Sequence, residues 1–330
     1  MLITFYILAF NHEDMIVDAI NAALAQTYSP LQIIVSDDCS TDSTWEVIQK
    51  TVSSYKGPHR VETRRNDVNL GISLHINALW KECSGEWIIA SAGDDTSLPT
   101  RVEKIADAVK CNPNIKLIQS WLNEVDENDN LLEINRLGVD ADGRGGVLFS
   151  IQDRLAGKAY APHGAAMAYS REVFDLFDPL PGNVIFEDNI VNVRAELLGV
   201  AMVLPIALVN HKNHSGQITR NYGRIPGRIR EIRRTRRLTS DINSSQQNLD
   251  DVMQTTDLEQ DLRQLLEKIY KENISKVRQK KIAVIGLWPF KLIPLCILIY
   301  KNSRRIISND DLMRAVMPYF FYRIARKIRG

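Results

Sequence analysis

Three acidic pairs carry the chemistry legible in this chain: Asp37-Asp38, Asp94-Asp95 and Glu187-Asp188. Carboxylates brought together repel one another, and their pKa values rise unless positive charge lies between them. A hard divalent cation supplies that charge through oxygen ligands and bridges to phosphates. A rim of such acids is suited to holding a nucleoside diphosphate. The plainer role of an acid after a strand is to cap the next helix. An acid pair opening a helix also gains from the helix dipole. Capping accounts for one pair well and for three together poorly.

The elements that must position these pairs follow from periodicity. Leu2–Ala9 and Leu31–Val35 are short apolar runs, as in buried strands, and Glu86–Ala90 is a third. Glu13–Ala25, Thr44–Val52 and Ile72–Cys83 read as helices, the second with Thr41 or Ser43 as N-cap. Pro99 opens a further helix, Arg101–Lys110, and Ile115–Gln119 is a strand. The stretch from Trp121 to Gly182 is less regular, with a Gly/Asp-rich loop at Asp140–Gly146. A helix over Glu187–Leu198 and a strand over Ala201–Val209 follow, then a polar loop, His211–Thr219. Alternating strands and helices predict an α/β fold with a mainly parallel sheet and flanking helices. Ligands of such sheets lie beyond the carboxyl ends of the strands. Phe10, Asp38 and Asp94-Asp95 each follow a predicted strand and belong to that rim.

On these residues the sequence resembles the glycosyltransferase family 2 enzymes, which have a GT-A nucleotide-diphospho-sugar transferase fold. Ile7-Leu8-Ala9-Phe10-Asn11 is similar to the family's opening strand with its aromatic-Asn end. Ala22–Tyr28 is similar to its S-x-L-x-Q-T-aromatic stretch, and Ile34–Asp42 to its V-D-D-G-S-T-D segment. Asn69-Leu70-Gly71, Asn77 and Ser84-Gly85-Glu86-Trp87-Ile88 follow the N-x-G…N…A-x-G-E-Y-I series. Each piece is weak alone; five in order are specific. The resemblance covers roughly residues 1–217.

The resemblance implies roles. Phe10 would stack on the base of a sugar nucleotide, and Asp38 would accept a hydrogen bond from a pyrimidine N–H. Asn11, Glu13 and Asn69 join them as expected contacts. Asp94 would sit near the ribose or diphosphate, and Asp95 would bind Mn2+ or Mg2+. His214, in Asn213-His214-Ser215-Gly216, matches a late His-Ser segment and becomes the second expected metal ligand. Asp188, beside Glu187, matches the pair that supplies the catalytic base. The first acid of the family's D-x-D-D stretch is Ala92 here, which leaves Asp95 as the single direct carboxylate ligand. The implied reaction moves a sugar, with inversion, from a nucleoside diphosphate (UDP or dTDP favoured) to a saccharide hydroxyl. The acceptor would be a lipid-linked saccharide of a bacterial polysaccharide such as O-antigen or capsule. His12, His59 and His75 read as structural, and Trp45, Trp80 and Trp87 as core. His163 belongs near the acceptor. The spacing of His211 and His214 is not by itself a metal signature.

Charge adds a second theme. The chain has 330 residues, 41 basic and 40 acidic, for a net charge of +1. Up to Gln217 there are 17 Lys/Arg and 29 Asp/Glu; from Ile218 there are 24 and 11. Such asymmetry points to a polyanion as partner of the second part. Arg220–Arg237 holds eight arginines and one acid. Arginines suit phosphate oxygens and anionic head groups; no nucleic-acid motif appears, so nucleic acid is excluded. Ile282–Tyr300 is nearly unbroken apolar sequence, interrupted by Pro289, Lys291 and Pro294 and flanked by basic residues on both sides. A straight span would place positive charge on both faces of a membrane. A peripheral or re-entrant position on the cytoplasmic face avoids that, and the basic aromatic tail Leu312–Arg329 suits an interface. The expected division is 1–217 as GT-A catalytic domain, 218–280 as basic helical extension and 281–330 as membrane-associating helices. Four cysteines without a C-x-x-C pair fit a reducing compartment. The N-terminal apolar run has no preceding basic residue and is not read as a signal peptide.

Two rivals stand beside this reading. A sugar-nucleotide pyrophosphorylase needs a Gly-rich, Arg-containing loop after the first strand, and Phe10-Asn11-His12-Glu13 is not one. A catalytically degenerate GT-A scaffold or glycan-binding subunit draws its support from Ala92.

Overall fold

The computed structural model describes residues 1–139, 145–214 and 227–285, without the side chains of 227–233 and 282–285. It divides into two units, Met1–Gly182 with Glu187–Gln217, and Asn183–Phe186 with Ile218–Gly330.

The first unit runs β1 (Ile3–Ala9), α1 (Ile16–Leu24), β2 (Gln32–Asp37), α2 (Thr44–Ser53), β3 (Arg60–Arg65), α3 (Ile72–Trp80), β4 (Trp87–Ala92). Then come β5 (Thr96–Ser97), α4 (Arg101–Cys111), β6 (Ile115–Val125), β7 (Leu131–Asn135), β8 (Val147–Phe149) and α5 (Ile151–Leu155). A 3-10 turn (Gly164–Ala166), β9 (Met167–Ser170), α6 (Glu172–Asp175), α7 (Asp188–Leu198) and β10 (Val200–Lys212) complete it. The strands form one sheet in the order β3-β2-β1-β4-β9-β6-β10-β5, with β7 on β6 and β8 on β10. The run β3-β2-β1-β4 is parallel, as is β6 with β10, so the central sheet is mostly parallel. Between them β9 runs antiparallel to both β4 and β6.

β1 is buried at every residue but Leu8, because helices cover both faces of a parallel sheet. α1 buries Ile16, Ala19, Ile20 and Ala23, the i, i+3, i+4, i+7 stripe that its sequence spells. These side chains join Phe5, Ile33, Ile48, Ile89, Val102 and Ile105 in one core. Each such large apolar side chain contributes about 1.5–3 kcal/mol on burial. Gly85, in the quoted Ser84–Ile88 segment, is forced by close approach: a Cβ there would lie 2.4 Å from the Thr4 amide nitrogen.

Register sets the rim. Ala9 stands opposite Asp37, and Leu8 opposite Ala92. The chain leaves β1, β2 and β4 at one level, and the links continue one step further: the Asp38 N–H donates to the Ala9 carbonyl (2.9 Å) and the Gly93 N–H to the Leu8 carbonyl (2.8 Å).

Several expectations are corrected. β3 was not expected, since its Arg-Val-Glu-Thr-Arg-Arg sequence holds one apolar residue; it is a charged strand at the end of the sheet order. β10 extends to Lys212, so His211 lies in a strand rather than a loop. At α2 the N-cap residue is Ser43, yet the side chain that serves the helix start is Asp42, whose Oδ1 accepts from the Thr44 N–H (3.0 Å).

The second unit contains α8 (Gly227–Gln254) and α9 (Gln260–Ile285), where one helix over Asn248–Ile274 was expected. The break is held by Arg263, whose guanidinium donates to the carbonyls of Met253 (3.1 Å) and Thr255 (2.5 Å). Leu249, Val252, Leu266, Tyr270 and Ile274 are buried in this unit. Among the described residues no helix is long and apolar enough to cross a membrane. Residues 140–144, most side chains of Arg220–Arg237, nearly all of Ile282–Tyr300 and the tail Leu312–Arg329 lie outside the described residues.

Candidate active site

The loops after β1 and β2 are stitched together by the residues expected to contact a nucleotide. Asn11 has φ of +56°, a left-handed conformation that Asn tolerates better than most side chains. Its Oδ1 accepts from the Thr41 N–H (2.9 Å), and its own N–H donates to Ser40 Oγ (2.9 Å). Glu13 Oε2 accepts from the Ser43 N–H (2.9 Å). Phe10 stands out from this loop, 42% exposed, as a ring available for stacking.

The first acidic pair is occupied by the protein itself. Asp37 is fully buried and paired with Arg65 Nε (3.0 Å). Asp38 Oδ1 accepts from Asn66 Nδ2 (2.7 Å) and the Leu70 N–H (2.9 Å); Oδ2 accepts from the Gly71 N–H (2.9 Å). Three of about four acceptor positions on that carboxylate are thereby used. Asp38 fixes the 66–71 loop, which presents Asn69 exposed. Asp37 and Asp38 are thus already met by the protein's own donors, which sets this pair apart from Asp94-Asp95.

The second pair is different. Asp95 is 2% exposed and its carboxyl is pushed up to about 7, by burial first and by Asp94 next. Its Oδ1 accepts one backbone bond, from the Lys212 N–H (3.0 Å). Below it lies Arg101, with no exposed surface, donating to Ser97 Oγ (2.8 Å) and to the carbonyls of Ala90, Ala165 and Met167 (2.9, 2.9 and 3.2 Å). Burial pulls the Arg101 guanidinium down to about 9 against the opposing pull of Asp95. Asp94 Oδ2 bonds His214 Nε2 (2.9 Å), and His12 Nε2 stands 3.9 Å away. For Asp94 burial acts upward, but the His214 bond and the two imidazoles outweigh it and hold the carboxyl low. His214, expected beside Asp95, is thus seated on Asp94. His12, read as structural, belongs to the site. Gly93 is needed for this packing, since a Cβ there would lie 2.6 Å from His12 Nδ1.

Two adjacent carboxylates and an imidazole, one carboxylate raised by burial and by its neighbour, form a donor set that fits a hard divalent cation such as Mn2+ or Mg2+. A second group lies close by: single ligand atoms from Glu124, His163 and His211 fall within 4.8 Å of one another.

Glu187 and Asp188 sit at the start of α7, where the dipole favours the ionised form. Burial wins nonetheless. Glu187 is pushed up to about 8 by burial and then by Asp188; Asp188 is pushed up to about 6 by burial, opposed by the Asn189 N–H on its Oδ1 (2.8 Å). Glu187 is the deeper of the two: a Cβ on Gly164 would lie 3.4 Å from its Oε1, and the bonded phenols of Tyr6 and Tyr169 (Oη–Oη 2.5 Å) are within its electrostatic reach. Asp188 is half-buried and open to solvent. Arg101, Tyr6 and Tyr169 escaped the sequence reading because a buried Arg or Tyr has no local signature; His12 had one, its place directly after the aromatic-Asn pair.

The sign for stability follows. A carboxyl raised in the folded state supports folding below its ordinary pKa of 4.5 and loses that support as pH rises through about 8. Glu187→Gln removes this cost. Its melting temperature relative to the parent should therefore climb between about pH 5 and about pH 9 in thermal melts; a constant difference contradicts burial of the charge.

Comparison with known proteins places this geometry. Residues 4–177 match the model of "Glycosyl transferase family 2". A segment of 128 residues is 31% identical to UDP-Glc:alpha-D-GlcNAc-diphosphoundecaprenol beta-1,3-glucosyltransferase WfaP of Escherichia coli, covering 39% of this chain and 48% of that protein. The chain spans about half or less of the length of the first curated relatives it matches. Among solved structures it resembles S. aureus TarS 1-349 in complex with UDP-GlcNAc, with TM-score 0.60 and 14% identity over 100% of this chain and 89% of that one. It also resembles a mannosyltransferase of Pyrobaculum calidifontis in complex with GDP-Man and Mn2+, with TM-score 0.50, 15% identity, and 99% and 86% coverage. These structures share the GT-A fold, as the resemblance in the sequence implied. With the family model matched across more than half its length, the chain belongs to glycosyl transferase family 2.

Proposed function

We propose that this chain transfers a sugar, with inversion, from a nucleoside diphosphate, UDP favoured, to a hydroxyl of a lipid-linked saccharide in bacterial polysaccharide assembly. The observation that carries the reading is the pairing of a buried acidic couple on the strand-end rim with a second, partly open couple at the start of α7. The relative WfaP, named for UDP-Glc and a diphosphoundecaprenol acceptor, supports the donor and acceptor classes.

Asp95, Asp94 and His214 would hold Mn2+ or Mg2+, which when bound neutralises the departing diphosphate. Phe10 offers its ring to the base, and Asp38 keeps the 66–71 loop, with Asn69, in place against the nucleotide. Asp188 takes the proton of the attacking hydroxyl. A base raised to about 6 is ionised at neutral pH and still strong enough to accept that proton. Glu187, held protonated by burial, leaves Asp188 as the one ionised member of the pair. Attack opposite the leaving group inverts the anomeric centre.

The rate should rise with pH through about 6 as Asp188 ionises. Asp188→Asn should lower kcat by about 10²–10⁴-fold and leave donor binding by calorimetry unchanged; retained turnover removes Asp188 as the base.

The basic run and apolar stretch of the second part support a peripheral position on the cytoplasmic face of the membrane. Deleting residues 282–330 should move the protein from the vesicle-bound to the free fraction in flotation with anionic liposomes. Equal flotation of the intact and shortened chains defeats this placement.

A further inference from the structure

We propose that Glu124, His163 and His211 form a binding site for a borderline divalent transition-metal ion of the Zn2+ type, distinct from the acidic pair. The three residues come from separate parts of the first unit: β6, the segment leading into the 3-10 turn, and β10. None is adjacent in sequence to another, yet one ligand atom of each falls within 4.8 Å of the other two. His211 Nδ1 lies 2.8 Å from Glu124 Oε2, and the two imidazole rings meet edge to face with centroids 4.6 Å apart.

The chemistry of the set is selective. Two imidazoles and one carboxylate suit Zn2+, Co2+, Ni2+ or Fe2+, whereas the carboxylate-dominated set at Asp94-Asp95 suits harder ions such as Mg2+ and Mn2+. Three protein ligands drawn from imidazole and carboxylate make up the protein half of open zinc sites. At metal–ligand lengths of about 2.0–2.2 Å, tetrahedral ligand atoms stand roughly 3.4 Å apart, so separations between 2.8 and 4.8 Å need shifts of at most about 1.4 Å.

The surroundings are built for such a group. Nδ1 of His163 is buried and has no hydrogen-bond partner among the described residues. An orphaned buried nitrogen of this kind destabilises the fold unless something fills the position. The other carboxylate oxygen of Glu124 accepts from Asn135 Nδ2 (2.9 Å), the outer contact that orients a ligating carboxylate. The His163 backbone is fixed by fully buried Gln119, whose Oε1 accepts from the His163 N–H (2.7 Å) while its Nε2 donates to the Ala161 carbonyl (3.2 Å).

The placement gives the ion a consequence. Lys212, the residue after His211, supplies the N–H that holds Asp95. A bound ion would tie the end of β10 to β6 and to the 3-10 turn, and through Lys212 steady the buried carboxylate.

The test uses the full chain, stripped with a chelator and titrated with Co2+, whose visible absorption reports nitrogen ligation. The expected result is a visible band on Co2+ binding, displaced by Zn2+ and not by excess Mg2+. That band should be lost in His163→Ala and in the more conservative Glu124→Gln, each with an unchanged far-ultraviolet circular dichroism spectrum. It should persist in Asp95→Asn. The proposal is overturned if the parent chain gives no band, if the band survives both cluster variants, or if it disappears in Asp95→Asn.

Discussion

The site is organised around one electrostatic problem, the burial of two adjacent carboxylates, Asp94 and Asp95, at the end of β4. An ionised carboxylate removed from water is costly unless it is paired or hydrogen-bonded. The fold answers from three directions. Arg101 lies beneath Asp95 and spends its guanidinium protons on three backbone carbonyls and Ser97, tying α4 to β4, β5 and the 3-10 turn. The Lys212 amide reaches Asp95 from β10. His214 and His12 lie against Asp94. Even so, Asp95 is left raised to about 7. That residual shortage of positive charge is what a cation, and behind it a diphosphate, would relieve.

The Glu187-Asp188 pair solves the complementary problem. In the proposed reaction it presents one ionised oxygen to an acceptor and does not gather positive charge. Different depths do this: Glu187 is sunk toward the 3-10 turn and the bonded phenols of Tyr6 and Tyr169, while Asp188 stays half-buried. The two carboxyls therefore titrate apart, about 8 and about 6. Separating like groups by environment is how a single pair yields one base.

How much of this was legible in the sequence depended on whether the cause was local. The strands β1, β2 and β4 and the helices between them were readable because their apolar periods are strong, and the rim followed from their order. β3 was missed because its residues obey the charge habits of a sheet end more than an apolar period. At His211 a polar Asn-His-Lys ending reads as loop and hides a strand that is held by pairing with β6. The acidic pairs themselves were visible, but their division of labour was not. Asp37 and Asp38 look like Asp94 and Asp95 in sequence; only the structure shows Arg65, Asn66 and two backbone amides gathered on the first pair. Arg101 and the Glu124–His163–His211 group arise from tertiary contact and leave no mark on their neighbours.

The central claim is that one acidic couple receives a diphosphate while Asp188 activates a hydroxyl on the opposite face of the sugar. That geometry dictates stereochemistry, independent of which sugar is carried. The most direct measurement is the anomeric configuration of the first product formed from an α-linked nucleotide sugar, read from the coupling of its anomeric proton by NMR. The account requires a β-linked product. An α-linked product would contradict it, because retention cannot arise from a single displacement assisted by Asp188.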